Sequence, residues 1–277
     1  MKLLTLNTHS WLEEQPQDKL ATLVETILFN QFDIIAFQEV NQSISEPTID
    51  LSDFFTYQAA DPSIQIKQNN FAFQVQQKLE QAGLRYSWTW LPSHIGYDIY
   101  DEGLAFLSLH PIQQIKAFHA SKSIAYDNHK TRSVIGIQIE DSWYFNLHLG
   151  WWNDKEDTFK EQWAVCSAFF KPLSGSIYLM GDFNNPSQSS NEGYDLVNKE
   201  WFDTFVLATE RDIGHTVESN IDGWSKNKEK LRLDFIFTNK VVSIKQSKVI
   251  FNGLNYPVIS DHYGVSVELV KEPLVIH

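Results

Sequence analysis

The chain has 277 residues, 43% of them apolar and 14% aromatic, which supports a large core and excludes an intrinsically disordered chain. Lys and Arg number 22 against 35 Asp and Glu, a formal net charge of −13 that repels phosphate backbones; no basic run offsets it, so a nucleic-acid partner is not expected. With Cys166 as its single cysteine the chain forms no internal disulfide, which fits a reducing compartment.

The first apolar stretch, 2–6, reads as a strand, and the amino terminus around it is too short and too polar for a signal peptide, so a cytoplasmic location is expected. A helix follows over 18–30, where Leu20, Leu23, Val24, Ile27 and Leu28 form an apolar stripe, and then a strand over 33–38. Residues 41–68 read as a long polar loop, 71–83 as a helix ended by Gly83, and 103–109, 133–140 and 142–149 as strands. A helix over 157–170 places Cys166 as a small buried hydrophobe; a strand over 176–182, a polar loop over 184–193 and strands over 231–237 and 265–269 complete the pattern. Several strands are near-continuous apolar runs, as expected when both faces of a sheet are covered. No membrane-spanning run, repeat or linker interrupts the alternation, so a single α/β domain over 1–277 is expected.

Polar residues stand where these strands end: Asn7, Gln38 and Glu39, His148, Asp182 and Asn184, Asp234, and Ser260-Asp261-His262 before the last strand. Each alone has a bland explanation, since a strand-end Asn or Asp is commonly a turn or cap residue, His148 fits a core edge, and Asp234 has Arg232 nearby. Their joint occurrence at so many strand ends does not follow from packing. Carboxylates, carboxamides and histidines without cysteine suit a hard cation, Mg²⁺ with Mn²⁺ as a substitute, and lack zinc spacing. Such an ion lets an acidic protein hold an anionic phosphate, and metal-assisted phosphoester hydrolysis is the reaction class that follows.

In their order, "LNT", "FQEV", "EGLAFLS", "NLHLG", "GDFN", "RLDFIF" and "SDHYGV" resemble the endonuclease/exonuclease/phosphatase superfamily over nearly the whole chain, from Asn7 to His262. The resemblance implies a DNase I-like four-layer α/β/β/α sandwich with a metal-dependent site at one rim. It implies Glu39 as the principal metal ligand, with Asn7 beside it and Asp261 near the metal. Asp182 would orient and deprotonate the attacking water with the help of Asn184. His262, held by Asp234, and His148, held by Glu102, would contact the scissile phosphate.

The superfamily's substrates range from nucleic acids to lipid headgroups and small monoesters. The net charge of −13 counts against nucleic acid, and the absence of an export signal against a secreted sphingomyelinase. A soluble phosphomonoester, such as a disaccharide 6′-phosphate like maltose 6′-phosphate, is the expected substrate. Tyr97, Tyr100, Trp151, Trp152 and Trp224 lie in polar stretches beside the motifs, where they suit either sugar stacking or plain loop packing. Arg132 suits a phosphate. A nuclease remains the rival, and a strip assembled from Lys130, Arg132, Lys226, Lys228 and Lys230 would favour it.

Overall fold

The computed structural model describes residues 1–51, 56–218, 224 and 229–270. In chain order its principal elements are β1 (Lys2–Asn7), α1 (Pro16–Asn30), β2 (Ile34–Ser43), α2 (Phe71–Gln81), β3 (Ser87–Gly96), β4 (Tyr100–Ser108), β5 (Gln114–His119), β6 (Ser133–Ile139) and β7 (Ser142–His148). Then come α3 (Phe159–Phe170), β8 (Ser176–Asp182), α4 (Gly193–Val197), β9 (Phe202–Asp203), α5 (Thr204–Leu207), β10 (Ala208–Arg211), β11 (Asp234–Thr238), β12 (Ile244–Ile250) and β13 (Gly264–Leu269).

Successive side chains of the apolar strands feed different cores. In β1 and β2, Leu4, Leu6, Ile35 and Phe37 face one cluster while Leu3, Ile34 and Ala36 face another. In β7, β8 and β11, Phe145, Leu179 and Phe235 face a third, while Tyr144, Met180 and Ile236 join Leu3 and Ile34 in the second. That shared cluster lies between a seven-stranded sheet, ordered β10-β12-β13-β1-β2-β4-β3, and a six-stranded sheet, ordered β5-β6-β7-β8-β11-β9. Helices cover the outer faces: Leu20, Leu23 and Ile27 of α1 and Val75 and Leu79 of α2 on the first sheet, Trp163, Cys166 and Phe170 of α3 on the second. The architecture is the four-layer α/β/β/α sandwich.

Local chemistry sets the helix limits. Pro16 opens the first turn of α1, and Asn70 caps α2 by accepting the Phe73 N–H at 3.1 Å. Thr158 and Glu161 form a capping box, so α3 starts at Phe159, two residues later than its pattern suggested. The segment read as loop from residue 41 is still β2 as far as Ser43, and β3, β5 and β12 were not legible as strands. Both β3 and β5 are edge strands; the first carries Pro92 and the second is largely exposed, so neither shows an apolar run.

Strand direction explains why the polar ends converge. β1 and β2 run parallel, as do β7 and β8 with His148 opposite Asp182. β11 runs antiparallel to β8 with Asp234 opposite Asp182, and β13 antiparallel to β1. The ends of β1, β7 and β8 and the starts of β11 and β13 therefore share one rim.

Candidate active site

A cleft of about 290 Å³ opens at that rim, with Glu39, Glu102, Arg132, His148, Asp182 and His262 on its walls. Asp182 sits at its centre, 1% exposed. Its Oδ1 accepts the Asn184 N–H at 2.8 Å, and its Oδ2 accepts from Asn7 Nδ2 at 3.3 Å and Asn184 Nδ2 at 3.4 Å. His148 Nε2 and His262 Nε2 flank the same oxygen at 3.6 and 3.8 Å. Burial, reinforced by the charge of Asp234, pushes the Asp182 carboxyl up to about 7 against the pull of His262 and the amides.

The two histidines differ in charge state. His262 Nδ1 lies 2.9 Å from Asp234 Oδ2; burial opposes its charged form, but the carboxylates of Asp234 and Asp182 outweigh burial and hold its pKa well above the usual value. His148 is held well below that value by burial and by the charges of Arg132 and His262. The expected Glu102–His148 pair is not formed. Glu102 Oε1 instead lies 3.3 Å from His94 Nε2, because β3 and β4 pair His94 directly across from Glu102.

Glu39 occupies a bulge. The β2–β4 register shifts between Phe37 and Val40, and Glu39 takes a left-handed φ of 51°, which turns its carboxylate toward the cleft. Asn7 presents its amino group to Glu39 Oε1 at 2.8 Å, while its oxygen accepts the His9 N–H at 3.2 Å. Asp261 lies beside them: its N–H donates to Glu13 Oε1 at 3.0 Å, its Oδ1 is 3.9 Å from His9 Nδ1, and Ser260 ties it to β1 by donating to the Asn7 carbonyl at 2.8 Å. His9 is also 2.7 Å from Glu13, which is paired with Lys19 as well.

Of the expected binding residues, Arg132, Tyr97 and Trp151 line the cleft, with Arg132 over the Trp151 ring at 5.8 Å. Arg132 is 6% exposed, and no carboxylate of the described residues forms an ion pair with it. Trp224 reaches the site indirectly, donating from Nε1 to Asn184 Oδ1 at 3.1 Å. Trp152 turns away to pack on α3, 6.4 Å from the Phe159 ring. The imagined basic strip is not assembled among the described residues: Lys130 pairs with Asp154 and Glu156 and Lys230 with Glu218, while Lys226 and Lys228 lie outside the described residues. Arg232 pairs with Asp203 at 2.6 Å rather than with Asp234. His9, His94 and His129 join the cleft unforeseen; only His9, two residues after Asn7, carried a positional signal.

The Endonuclease/Exonuclease/phosphatase family model matches residues 4–262. The chain belongs to this family. An endonuclease/exonuclease/phosphatase family protein from Leptotrichia buccalis C-1013-b is 32% identical, with a TM-score of 0.86 over 98% of this chain and 100% of that one. A mannosyl-6-phosphatase from Bacteroides thetaiotaomicron VPI-5482 shares the fold at 17% identity and TM-score 0.63, covering 98% of this chain and 100% of its own. A 3′ phosphatase from Neisseria bound to product DNA hairpin does so at 16% and 0.61, with the same two shares. Among curated proteins none matches.

Endonuclease/exonuclease/phosphatase members hydrolyse phosphoesters, and the chemistry of this site suits a divalent cation. Burial, and after it the charges of Glu102 and Asp261, pushes Glu39 up to about 8 against the pull of His9 and Asn7. Glu39 and Asp261, both oxygen donors, could hold a hard cation, which would favour their ionised forms. Among the described residues the tightest groups of possible ligand atoms are His9, Glu13 and Asp261, and Asp182, Asp234 and His262. The first includes Asp261, and Glu39 belongs to neither; the second is the ion-paired triad described above.

Proposed function

We propose that the protein is a Mg²⁺-dependent phosphatase acting on a small soluble phosphomonoester, a sugar phosphate such as a disaccharide 6′-phosphate. The observation that carries this reading is Arg132: a nearly buried guanidinium without a carboxylate partner, facing the same cleft as Asp182. The charges of Glu102, Asp182, Glu39 and Asp154 favour the charged form of Arg132 from beyond ion-pair distance, and a bidentate phosphate oxyanion is the natural direct partner of a guanidinium. Tyr97 and Trp151 beside it offer flat faces to a sugar ring. Among the described residues the paired Lys130 and Lys230 form no basic track for a nucleic-acid backbone, and the net charge of −13 disfavours one.

The roles divide by charge state. Asp182 Oδ2, steadied by Asn7 and Asn184, takes a proton from the attacking water as the new P–O bond forms. His262, kept protonated by Asp234, gives its Nε2 proton to the leaving ester oxygen as the old P–O bond breaks, so an alcohol and inorganic phosphate leave. Neutral His148 and Arg132 hold the non-bridging oxygens. A bound Mg²⁺ at Glu39 and Asp261 supplies neutralisation of the charge that develops on the phosphoryl group.

The test is phosphate release from a panel of sugar phosphates including maltose 6′-phosphate, with Mg²⁺ and with EDTA, beside plasmid DNA and sphingomyelin. Metal-dependent release from a sugar phosphate with the DNA intact is expected. DNA nicking or lipid cleavage without sugar-phosphate turnover overturns the substrate assignment.

A further inference from the structure

We infer that His94 is a positioning residue that clamps the phosphoryl-binding wall of the cleft, holding Arg132 in place through the backbone beside it. The inference rests on the phosphate-binding role given to Arg132 above. His94 is 4% exposed, and both of its ring nitrogens face acceptors: Nδ1 lies 3.0 Å from the Thr131 carbonyl and Nε2 3.3 Å from Glu102 Oε1. With one ring nitrogen toward a carbonyl and the other toward a carboxylate, the ring is fixed between β4 and the loop that precedes β6.

What the clamp joins gives it meaning. Thr131 immediately precedes Arg132, at the end of a loop that runs from β5 to β6. That loop is tied to β3 at two points, Ile95 N–H to the Tyr126 carbonyl at 2.7 Å and His94 to Thr131, and the second is the one adjacent to the arginine. Among the described residues the Arg132 guanidinium forms no ion pair, although the charges of Glu102, Asp182, Glu39 and Asp154 act on it, so its orientation depends on the Trp151 ring and on its backbone, which is held by Ser121 and Ala120 on one side and, through Thr131, by His94 on the other.

The other end of the clamp is built as carefully. The β3–β4 register shifts between Pro92 and His94, and that shift sets His94, rather than Ser93, across from Glu102. Gly96 leaves room for the carboxylate: a Cβ there would stand 2.8 Å from Glu102 Oε2. Glu102 is thus seated against β3 and committed to His94, which is why it is not available to His148. Substrate phosphate meets a wall in which Glu102 directly, and Arg132 through Thr131, lean on the same ring.

The experiment is a double-mutant cycle on the Mg²⁺-loaded protein, reading inorganic phosphate affinity by calorimetry and KM separately from kcat for the best sugar phosphate. His94→Phe fills the same space without the polar contacts, and His94→Gln restores a donor for the Thr131 carbonyl. Loss of the clamp is expected to weaken phosphate binding and raise KM by about tenfold, with kcat changed less, and His94→Gln to recover most of it. In an Arg132→Ala background, His94→Phe is expected to add little. Full additivity of the two changes, or no rescue by His94→Gln, overturns the positioning role. If Arg132→Ala itself leaves phosphate affinity unchanged, the reading of the cleft has failed instead. Should His94→Phe not fold, Gly96→Ala, which displaces the Glu102 carboxylate, makes the same comparison from the other end, and an unchanged KM then counts against the clamp.

Discussion

Asp182 carries two opposing demands: its carboxyl is nearly inaccessible, yet the proposed chemistry asks it to accept a proton. Burial that pushes it up to about 7 reconciles them, because a base with that pKa is both partly ionised and strong enough near neutral pH. Asp182→Asn keeps the shape and removes the base; its one amide oxygen can still accept the Asn184 N–H, while its NH2 replaces the oxygen that accepts from the Asn7 and Asn184 side chains. Phosphate release is expected to fall by roughly 10²–10⁴-fold while the melting temperature changes little, because relief of a buried carboxylate offsets the loss of the hydrogen bonds that its Oδ2 accepts. A variant that keeps near-full turnover would remove Asp182 from the mechanism. His262→Ala should behave differently. Asp234 Oδ1 already lacks a hydrogen-bond partner among the described residues, and deleting the imidazole orphans Oδ2 as well, so about 1–3 kcal/mol of stability should be lost along with activity. Denaturant unfolding of the two variants side by side separates the roles: only the second should shift its midpoint downward.

At the scale of elements, β2 stores strain at the residue that the proposal assigns to the metal. A glutamate at φ 51° in mid-strand costs roughly 1 kcal/mol or more, a cost that glycine does not incur. Glu39→Gly therefore should raise the melting temperature of the metal-free protein, by relieving the backbone and removing a carboxylate that burial disfavours, while abolishing Mg²⁺-dependent turnover. Thermal melts in EDTA and phosphate release in Mg²⁺ check both halves; a destabilised variant would mean that the bulge is not strained by its side chain. The bulge also marks where sequence reading stops. Strand ends such as Asn7, Asp182 and Asp234 were legible because a polar residue closing an apolar run has no packing reason to be there. Glu102 was assigned to His148 because the partner choice depends on the β3–β4 register, and β3 is an edge strand whose Trp88–Trp90 alternation is cut short at Pro92, before His94 is reached. Trp151 and Trp152 are adjacent in a loop without periodicity, and only the fold decides which one turns to the cleft.

Across the whole molecule, the metal-free site is a store of protons, and this gives stability a direction with pH. Glu39 and Asp182 are carboxyls raised to about 8 and about 7 in the folded state, above their unfolded values of 4.5 and 3.8, so the folded chain binds more protons than the unfolded one. Their contribution is fully present below the unfolded values and is lost as pH rises through the folded ones. His9, raised to about 9, and His262, also raised, have the same sign: each contributes below its unfolded value of 6.5 and loses that contribution as pH climbs through its folded pKa. His148 is depressed and opposes them, but its effect is confined to pH below 6.5, where its unfolded form takes up a proton that the folded form refuses. Between pH 6.5 and 8 nothing among these five groups pulls the other way, so in EDTA the melting temperature should fall across that interval. A divalent cation needs Glu39 ionised, and it binds the folded chain more tightly as the proton leaves, so the rise in melting temperature on adding Mg²⁺ should be larger at pH 8 than at pH 6.5. Melting curves at both pH values, with EDTA and with Mg²⁺, decide the matter. A Mg²⁺ shift that shrinks with rising pH would mean that the cation does not displace protons from the convergent carboxylates, and the assignment of Glu39 as its ligand would have to be given up.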